Sequence, residues 1–445
     1  MSQDTTARDV ATHVLYRVDH EQAWASASLD AELKRAHLDA RDAALAAQIV
    51  YGSLRVLPAL DAAVDPFLKR GPKGLDTFLR AVLRVAAFQL LHLSRVPAHA
   101  IVNAAVTLTR RERGQGPSGF VNAVLRKVAA TRPERPSPPE RLILDADLNA
   151  ALARSLDPER LARFLSSRPR APTLDLRVPG GEAAIASLSA RILEAHPEAE
   201  LQAGSLLPTA LRVRGVGDPR KLPGYDEGLF AVQEEGSQWV AAAVGARPGE
   251  RVLDACAGRG GKTLALAQSV GPEGRVVALD LYEPRLDQME QERVRLGIDA
   301  EIVERRAVDL TVGLGGVTGE FDRILVDAPC SGLGTIHRRP DILLRHRERG
   351  LRKLARTQGS ILEQVSGSLA PGGRLVYAVC SPMREECDGV VQGFIGRHPE
   401  LVRTTLTLAP PPSDADLAHR LGPWWVADDA DGTDAYQVFC FERRR

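Results

Sequence analysis

From residue 231 onward, short apolar runs alternate with longer segments of helical spacing, a pattern that few architectures accept. Runs at 251–255, 275–280, 300–304, 321–328, 374–380 and 436–442 read as strands, with helices between the first five. The expectation is an α/β domain of Rossmann-like type, a mainly parallel, doubly wound sheet covered on both faces. Ligands of such sheets bind in the crevice beyond the carboxyl ends of the strands. Two cysteines fall at such ends, Cys330 in VDAPCSGLG and Cys380 in LVYAVCSP. If their strands are neighbours, the backbones lie roughly 5 Å apart and both thiols can serve one substrate atom.

The rest of the chain reads differently. Val10, Val14 and Val18 recur at intervals of four, and 78–93 has the length and spacing of a buried helix, so residues 4 to about 130 form a helical bundle. Pro97 and the stretch 114–119 break it into separate helices. The Pro-rich segment 132–140 has the composition of a linker. Beyond it a helical segment around 147–166, a strand at 173–178, a helix at 181–195 and a strand at 210–216 read as a small α+β module. Three domains follow: 1–133, 134–230 and 231–445.

A chain of 445 residues with 44% hydrophobic content is too long for one ordinary core and too apolar to be disordered. The net charge of +1 excludes a uniformly basic nucleic-acid sleeve, so basic patches must be local. Five cysteines, at 256, 330, 380, 387 and 440, form no metal-ligand spacing, and an odd number argues against a secreted disulfide framework. The amino terminus lacks the pattern of a signal peptide, and no run of about 18 apolar residues is present to span a bilayer. The expectation is a soluble cytoplasmic monomer without metal or membrane.

The strand RVLDA runs into the loop Cys256, Ala257, Gly258, Arg259, Gly260, Gly261, Lys262, ahead of a helix. Glycines allow close backbone approach to a ligand, and a helix amino terminus favours anionic groups. Any tight turn can use glycines, but Asp280 closes the next strand about twenty residues on, where a carboxylate holds ribose hydroxyls. Asp309, after the third strand, is placed to receive an adenine amino group, although a solvated loop aspartate has the same spacing. Asp327, Pro329 and Cys330 end the fourth strand. A free cysteine is most often a buried structural residue, which is the reading for Cys387 and Cys440; two thiols at corresponding strand ends, each followed by Ser, favour chemistry. The run 337–356 carries eight Lys or Arg against Asp341 and Glu348, which reads either as a solvated helix face or as a phosphate-binding rim.

These residues resemble the RNA cytosine-5 methyltransferases of the Sun/Fmu (RsmB) type, within the RsmB/NOP family. The likeness rests on VQEEGSQ, RVLDACAGRGGKT, the Asp280 strand, FDRILVDAPCSGLGTIHRRPDI, LAPGGRLVYAVCS and Glu385-Glu386. In the helical part, IVYGSLR, LHLSRVPAHAIVNAAV and FVNAVLRK look like the NusB-type RNA-binding domain of bacterial members. The resemblance implies S-adenosylmethionine as cofactor, held by the loop Cys256 to Lys262 and by Asp280, Asp309 and Asp327. It implies RNA, ribosomal RNA of the small subunit, as partner. It also implies Cys380 as nucleophile, Cys330 as the group that assists product release, and Asp327 beside the cytosine edge. The chain departs from the family in Gly258-Arg259 for Ala-Pro, Val379 for Thr, and Ala435-Tyr436-Gln437 for Gly-Phe-Phe. Open alternatives are a noncatalytic RNA-binding scaffold, a methyltransferase with another RNA target, a DNA cytosine-5 enzyme using Cys330, and a thiol oxidoreductase.

Overall fold

The computed structural model describes residues 5–69, 71–131, 133, 142–166, 173–344, 348–404 and 433–445. The chain divides into two compact units. One comprises residues 1–153, 157–170 and 336–346, and the other 154–156, 171–335 and 347–445.

The first unit is helical: α1 (Ala7–His20), α2 (Ala25–Ala36), α3 (Ala40–Arg55), α4 (Leu57–Val64), α5 (Thr77–His92), α6 (Ala98–Arg113), α7 (Gln115–Ala130), α8 (Ala146–Ser155) and α9 (Pro158–Ser166). The helical segment expected at 147–166 is therefore two helices, because Pro158 fits the first turn of a new helix better than the interior of a long one. Thr6 and Asp9 form a capping box that starts α1. Helix α5 is buried almost throughout, as its apolar composition predicts. Gly52 on α3 lets α5 come close, since a Cβ there would lie 2.1 Å from the Phe88 ring. Arg84, buried in this core, is compensated by Asp19 at 2.8 Å and Asp61 at 2.7 Å.

Residues 336–346 complete this unit although the sequence places them inside the catalytic segment. Asp341 is buried and accepts the Ala25 amide N–H at 3.3 Å, Arg55 donates to the His337 carbonyl at 2.8 Å, and Leu344 packs on the helical core. The basic run 337–356 is thus not one continuous element. Pro340–Leu344 is a 3-10 turn docked by apolar and carboxylate contacts, and a helix begins only at Glu348. Arg345 and Arg347 lie outside the described residues, whereas Arg352, Lys353 and Arg356 are exposed on that helix.

The second unit opens with an antiparallel four-stranded sheet: β1 (Leu174–Arg177), β2 (Glu200–Ala203), β3 (Ala210–Arg214) and β4 (Ala231–Val232), in the order β2-β3-β1-β4, with α10 (Gly181–Ala195) between β1 and β2. Strands β2 and β4 escape the sequence reading because one is mostly exposed and the other has two residues. Glu235 is fully buried and joins this sheet to α11 (Glu235–Ala243): it pairs with Arg212 at 2.6 Å and accepts the Leu206 and Leu207 amides.

The larger sheet follows: β5 (Arg251–Asp254), α12 (Gly261–Val270), β6 (Arg275–Asp280), α13 (Glu283–Arg295), β7 (Val303–Ala307), β8 (Phe321–Asp327), α14 (Glu348–Ser366), β9 (Leu369–Val379), α15 (Asp388–Ile395), β10 (Leu401–Thr404) and β11 (Gln437–Arg443). Its order is β10-β11-β9-β8-β5-β6-β7, parallel from β9 to β7, with β11 and β10 antiparallel. The strand expected at 300–304 lies at 303–307, because Asp299 caps a short 3-10 turn over 300–302. The chain winds outward from β5 in one direction and from β8 in the other. The loops after these two neighbouring strands therefore open at the topological switch point.

Candidate active site

The loop after β5 takes its shape from Gly258 (φ +56°) and Gly260 (φ +85°), left-handed conformations that side chains disfavour. A Cβ on Gly260 would meet Met289 at 2.2 Å, whereas one on Gly258 would meet open space, so Gly260 serves packing and Gly258 the rim. Asp280, at the end of β6, is nearly buried; its two oxygens accept the Gly258 and Tyr282 amides, each at 2.9 Å. That fixes a carboxylate against the glycine loop, an acceptor suited to ribose hydroxyls. Cys256 is half-buried and its thiol is pushed well up by burial and by Asp254, which keeps it neutral. Ala257 is buried, and Arg259 is exposed, away from the loop's packed side. Asp309 is an exposed carboxylate two residues beyond β7, held by the Thr311 amide at 2.9 Å and hydroxyl at 2.6 Å.

The loop after β8 carries Cys330 and the one after β9 carries Cys380. Register pairs Asp327 with Ala378, and the two sulfurs lie 3.2 Å apart, a hydrogen bond between free thiols. The hydrogen bond to Cys380, then burial, push the Cys330 thiol well above its ordinary range. Lys262, at the start of α12, reaches into the same place: its ammonium contacts Asp327 Oδ2 at 2.7 Å and lies 5.4 Å from the centre of the Tyr436 ring. Burial pulls this ammonium down, but the Asp327 carboxylate outweighs it and Cys380 adds to the effect, so Lys262 stays charged. Asp254 beneath is fully buried, accepts the Thr263 hydroxyl at 2.7 Å, and is pushed up to about 6 by burial.

Glu386 ties the two cysteine loops together. It is fully buried, and its carboxylate accepts the Ser331 amide at 2.8 Å, the Ser381 hydroxyl at 2.5 Å and the Gln358 side-chain amide at 3.1 Å. Gln358, on α14, also donates to the Pro329 carbonyl at 3.0 Å, and the Ser331 and Ser381 hydroxyls meet at 2.9 Å. Each cysteine is thus followed by a serine anchored to one carboxylate. Gly334 passes between the Cys380 carbonyl, which accepts its amide at 2.9 Å, and Ala435, whose carbonyl would lie 1.9 Å from a Cβ at 334. Glu234 Oε1 accepts the Asp434 amide at 2.8 Å and so fixes the segment leading to Tyr436.

The structure therefore gathers the glycine loop, Lys262, Asp280, Asp327, Cys330 and Cys380 along one edge of the sheet. Asp309 follows the next strand of that edge, and Cys387 and Cys440 are buried elsewhere. Sequence reasoning missed Gln358 and gave Glu386 no role. The signal was a Glu five residues beyond the serine of the second Cys-Ser pair, too short a spacing for a motif but sufficient for a chain reversal.

A switch-point crevice with a glycine loop, an acidic second-strand end and a carboxylate at the fourth strand defines a nucleotide-cofactor methyltransferase fold. Residues 241–418 match the family described as 16S rRNA methyltransferase RsmB/F, and residues 5–130 match the NusB family. A putative methyltransferase of Mycobacterium tuberculosis is 36% identical over 421 residues, covering 88% of this chain and 87% of its own. The probable ribosomal RNA small subunit methyltransferase B of Bacillus subtilis is 30% identical, covering 89% of each. The crystal structure of PH0851 shares the fold at a TM-score of 0.80 and 22% identity, over 98% of this chain and 99% of that one. That of NSun6 from Pyrococcus horikoshii with SFG has a TM-score of 0.56 and 18% identity, over 68% of this chain and 99% of that one. The chain belongs to the RsmB/F family of 16S rRNA methyltransferases, with a NusB region ahead of the catalytic segment. It is an RNA methyltransferase, and its cofactor is S-adenosylmethionine. Gly258, open to the rim, and the preset Asp280 carboxylate fit that group.

Proposed function

We propose that this enzyme methylates C5 of a cytosine in small-subunit ribosomal RNA through a covalent adduct between Cys380 and C6. The observation that carries this reading is the pair of sulfurs at 3.2 Å, beside a lysine ammonium and a carboxylate. Bound S-adenosylmethionine supplies an electrophilic methyl group. Cys256 to Lys262, Asp280, Asp309 and Asp327 surround the cofactor.

C5 of cytosine is a poor nucleophile on its own. Addition of a thiolate to C6 moves the C5–C6 π electrons onto C5, which then takes the methyl group. Loss of the C5 proton and cleavage of the C6–S bond restore the aromatic ring and free Cys380. The shifted Cys330 thiol keeps its proton, so its S–H is available as a donor to Cys380 at 3.2 Å. The Lys262 ammonium supplies positive charge to the same site. Once Cys380 is bonded to C6, Cys330 gives up its own proton to water, and its thiolate then takes the C5 proton as the C6–S bond breaks.

Asp327 accepts hydrogen bonds from the cytosine amino group and protonated N3, a pattern that uracil, with a carbonyl at C4, does not offer. C5 and C6 are reached only when the base is unstacked. A DNA-type assignment with Cys330 as nucleophile is less well supported, because Cys330 is the thiol whose ionisation is opposed by both neighbour and burial. Incubation with small-subunit RNA and labelled S-adenosylmethionine, followed by nuclease digestion and mass spectrometry, should yield 5-methylcytidine. Label in any other nucleoside would refute the reading.

A further inference from the structure

Between the end of α4 and α7 lies a cleft of about 610 Å³, wholly within the helical unit and unused by the chemistry above. Its apolar lining comes from Phe67, Leu68, Leu75, Phe120 and Val124. Its charged lining is Lys69, Lys73 and Lys127, all exposed. No carboxylate lines it. The acids nearby are already committed to arginines: Asp61 to Arg80 at 3.2 Å and Arg84 at 2.7 Å, Asp65 to Arg80 at 3.6 Å, and Asp76 to Arg113 at 3.6 Å. Among the described residues, none of the three lysines is in an ion pair. The Lys127 ammonium lies 5.8 Å from the centre of the Phe67 ring, which is half-buried like that of Phe120.

We propose that this cleft is a second RNA subsite, taking one or two unstacked bases against Phe67 and Phe120 while the three lysines bind the flanking phosphates. The volume lies within the range of pockets that enclose a small ligand. Aromatic rings that accept any base, ringed by cations that follow a backbone, are the physical means of single-strand binding without sequence choice. Paired arginines and unpaired lysines side by side mean that the local field is positive at the cleft and balanced beside it. An acidic amphipathic peptide has complementary charge too, but a flat base can stack on the Phe67 and Phe120 rings while its flanking phosphates meet the lysines. The proposal rests on the RNA methyltransferase reading and adds a place where the substrate is held away from the target base.

The test uses the full chain and a fluorescent single-stranded oligoribonucleotide, with anisotropy measured over a range of salt. Each phosphate neutralised on a single strand contributes about 0.7 to the slope of log affinity against log salt. Lys69→Ala/Lys73→Ala/Lys127→Ala should therefore weaken binding and lower that slope by about 2. Phe120→Ala should weaken it by roughly 5- to 150-fold and Phe120→Tyr should restore it, as stacking requires. Photocrosslinking with 4-thiouridine in the oligonucleotide should label peptides 67–75 or 120–127. An unchanged salt slope, crosslinks only elsewhere, or preference for an acidic peptide of equal charge would overturn the proposal. Methyl transfer to ribosomal RNA by the unaltered enzyme is measured alongside. Transfer with an unchanged slope in the triple variant sinks only the cleft, whereas no transfer together with cleft-dependent oligonucleotide binding sinks only the methylation reading.

Discussion

At the scale of single residues, the site depends on charges made possible by their partners. Lys262 and Asp327 are each costly near a buried pocket and acceptable as a pair at 2.7 Å. Lys262→Met leaves a carboxylate without its cation beside Cys380. A hydrogen bond to a charged group is worth about 1.5–3 kcal/mol, so methyl transfer should fall by roughly 10- to 150-fold, read as initial rate at saturating cofactor. Asp254 behaves in the opposite sense. Burial raises its pKa to about 6, so between its unfolded value near 3.9 and 6 the native state binds more protons than the unfolded one. Its contribution to stability is therefore present at low pH and lost as pH rises through about 6. Denaturant unfolding from pH 4 to 7 should show the wild type losing up to roughly 3 kcal/mol relative to Asp254→Asn, and parallel curves would show that burial does not govern this carboxylate.

At the scale of elements, the strand-and-helix alternation after residue 231 was legible because buried parallel strands need continuous apolar runs. Strands β5, β6, β8 and β9 announce themselves in that way, and with them the positions of Asp280, Asp327, Cys330 and Cys380. Strand β10 did not, since it is an edge strand with only Leu401 buried. The docked turn at 340–344 was equally hidden. Its basic neighbours dominate the composition, but Pro340, Asp341 and Ile342 are the buried residues, and burial at long sequence separation leaves no local periodicity. Glu386 stayed without a role for the same reason: its partners Ser331 and Gln358 are 55 and 28 residues away. Removing this carboxylate takes the acceptor from the Ser331 amide and the Ser381 hydroxyl, at about 1–3 kcal/mol each, while Gln358 keeps the Pro329 carbonyl. Glu386→Ala should lower kcat while leaving KM for S-adenosylmethionine near wild type, with Glu386→Gln recovering part of the loss. A rise in KM with kcat unchanged would mean that Glu386 supports the cofactor loop and not the thiols. Gly334→Ala forces the Ala435 carbonyl to move, and overpacking of this kind costs about 1–3 kcal/mol, which a lowered melting temperature would reveal.

At the scale of the whole molecule, two compact units with separate cores should not melt as one two-state body. Calorimetry of the full chain is expected to give a calorimetric enthalpy above the van't Hoff value. S-adenosylmethionine at 100 times its Kd should stabilise the unit containing the glycine loop by about 2.7 kcal/mol, and the helical transition should stay in place. Equal shifts of both transitions would show that the units unfold together. The proposed mechanism depends above all on a division of labour between the two thiols, Cys380 bonding to C6 and Cys330 releasing the product. Denaturing gels of Cys330→Ala and Cys380→Ala, each mixed with small-subunit RNA and S-adenosylmethionine, test it directly. An accumulated covalent RNA complex is expected with Cys330→Ala, and neither complex nor methylation with Cys380→Ala. A complex trapped by Cys380→Ala would reverse the roles, and methylation intact in both variants without any complex would contradict the thiol mechanism altogether.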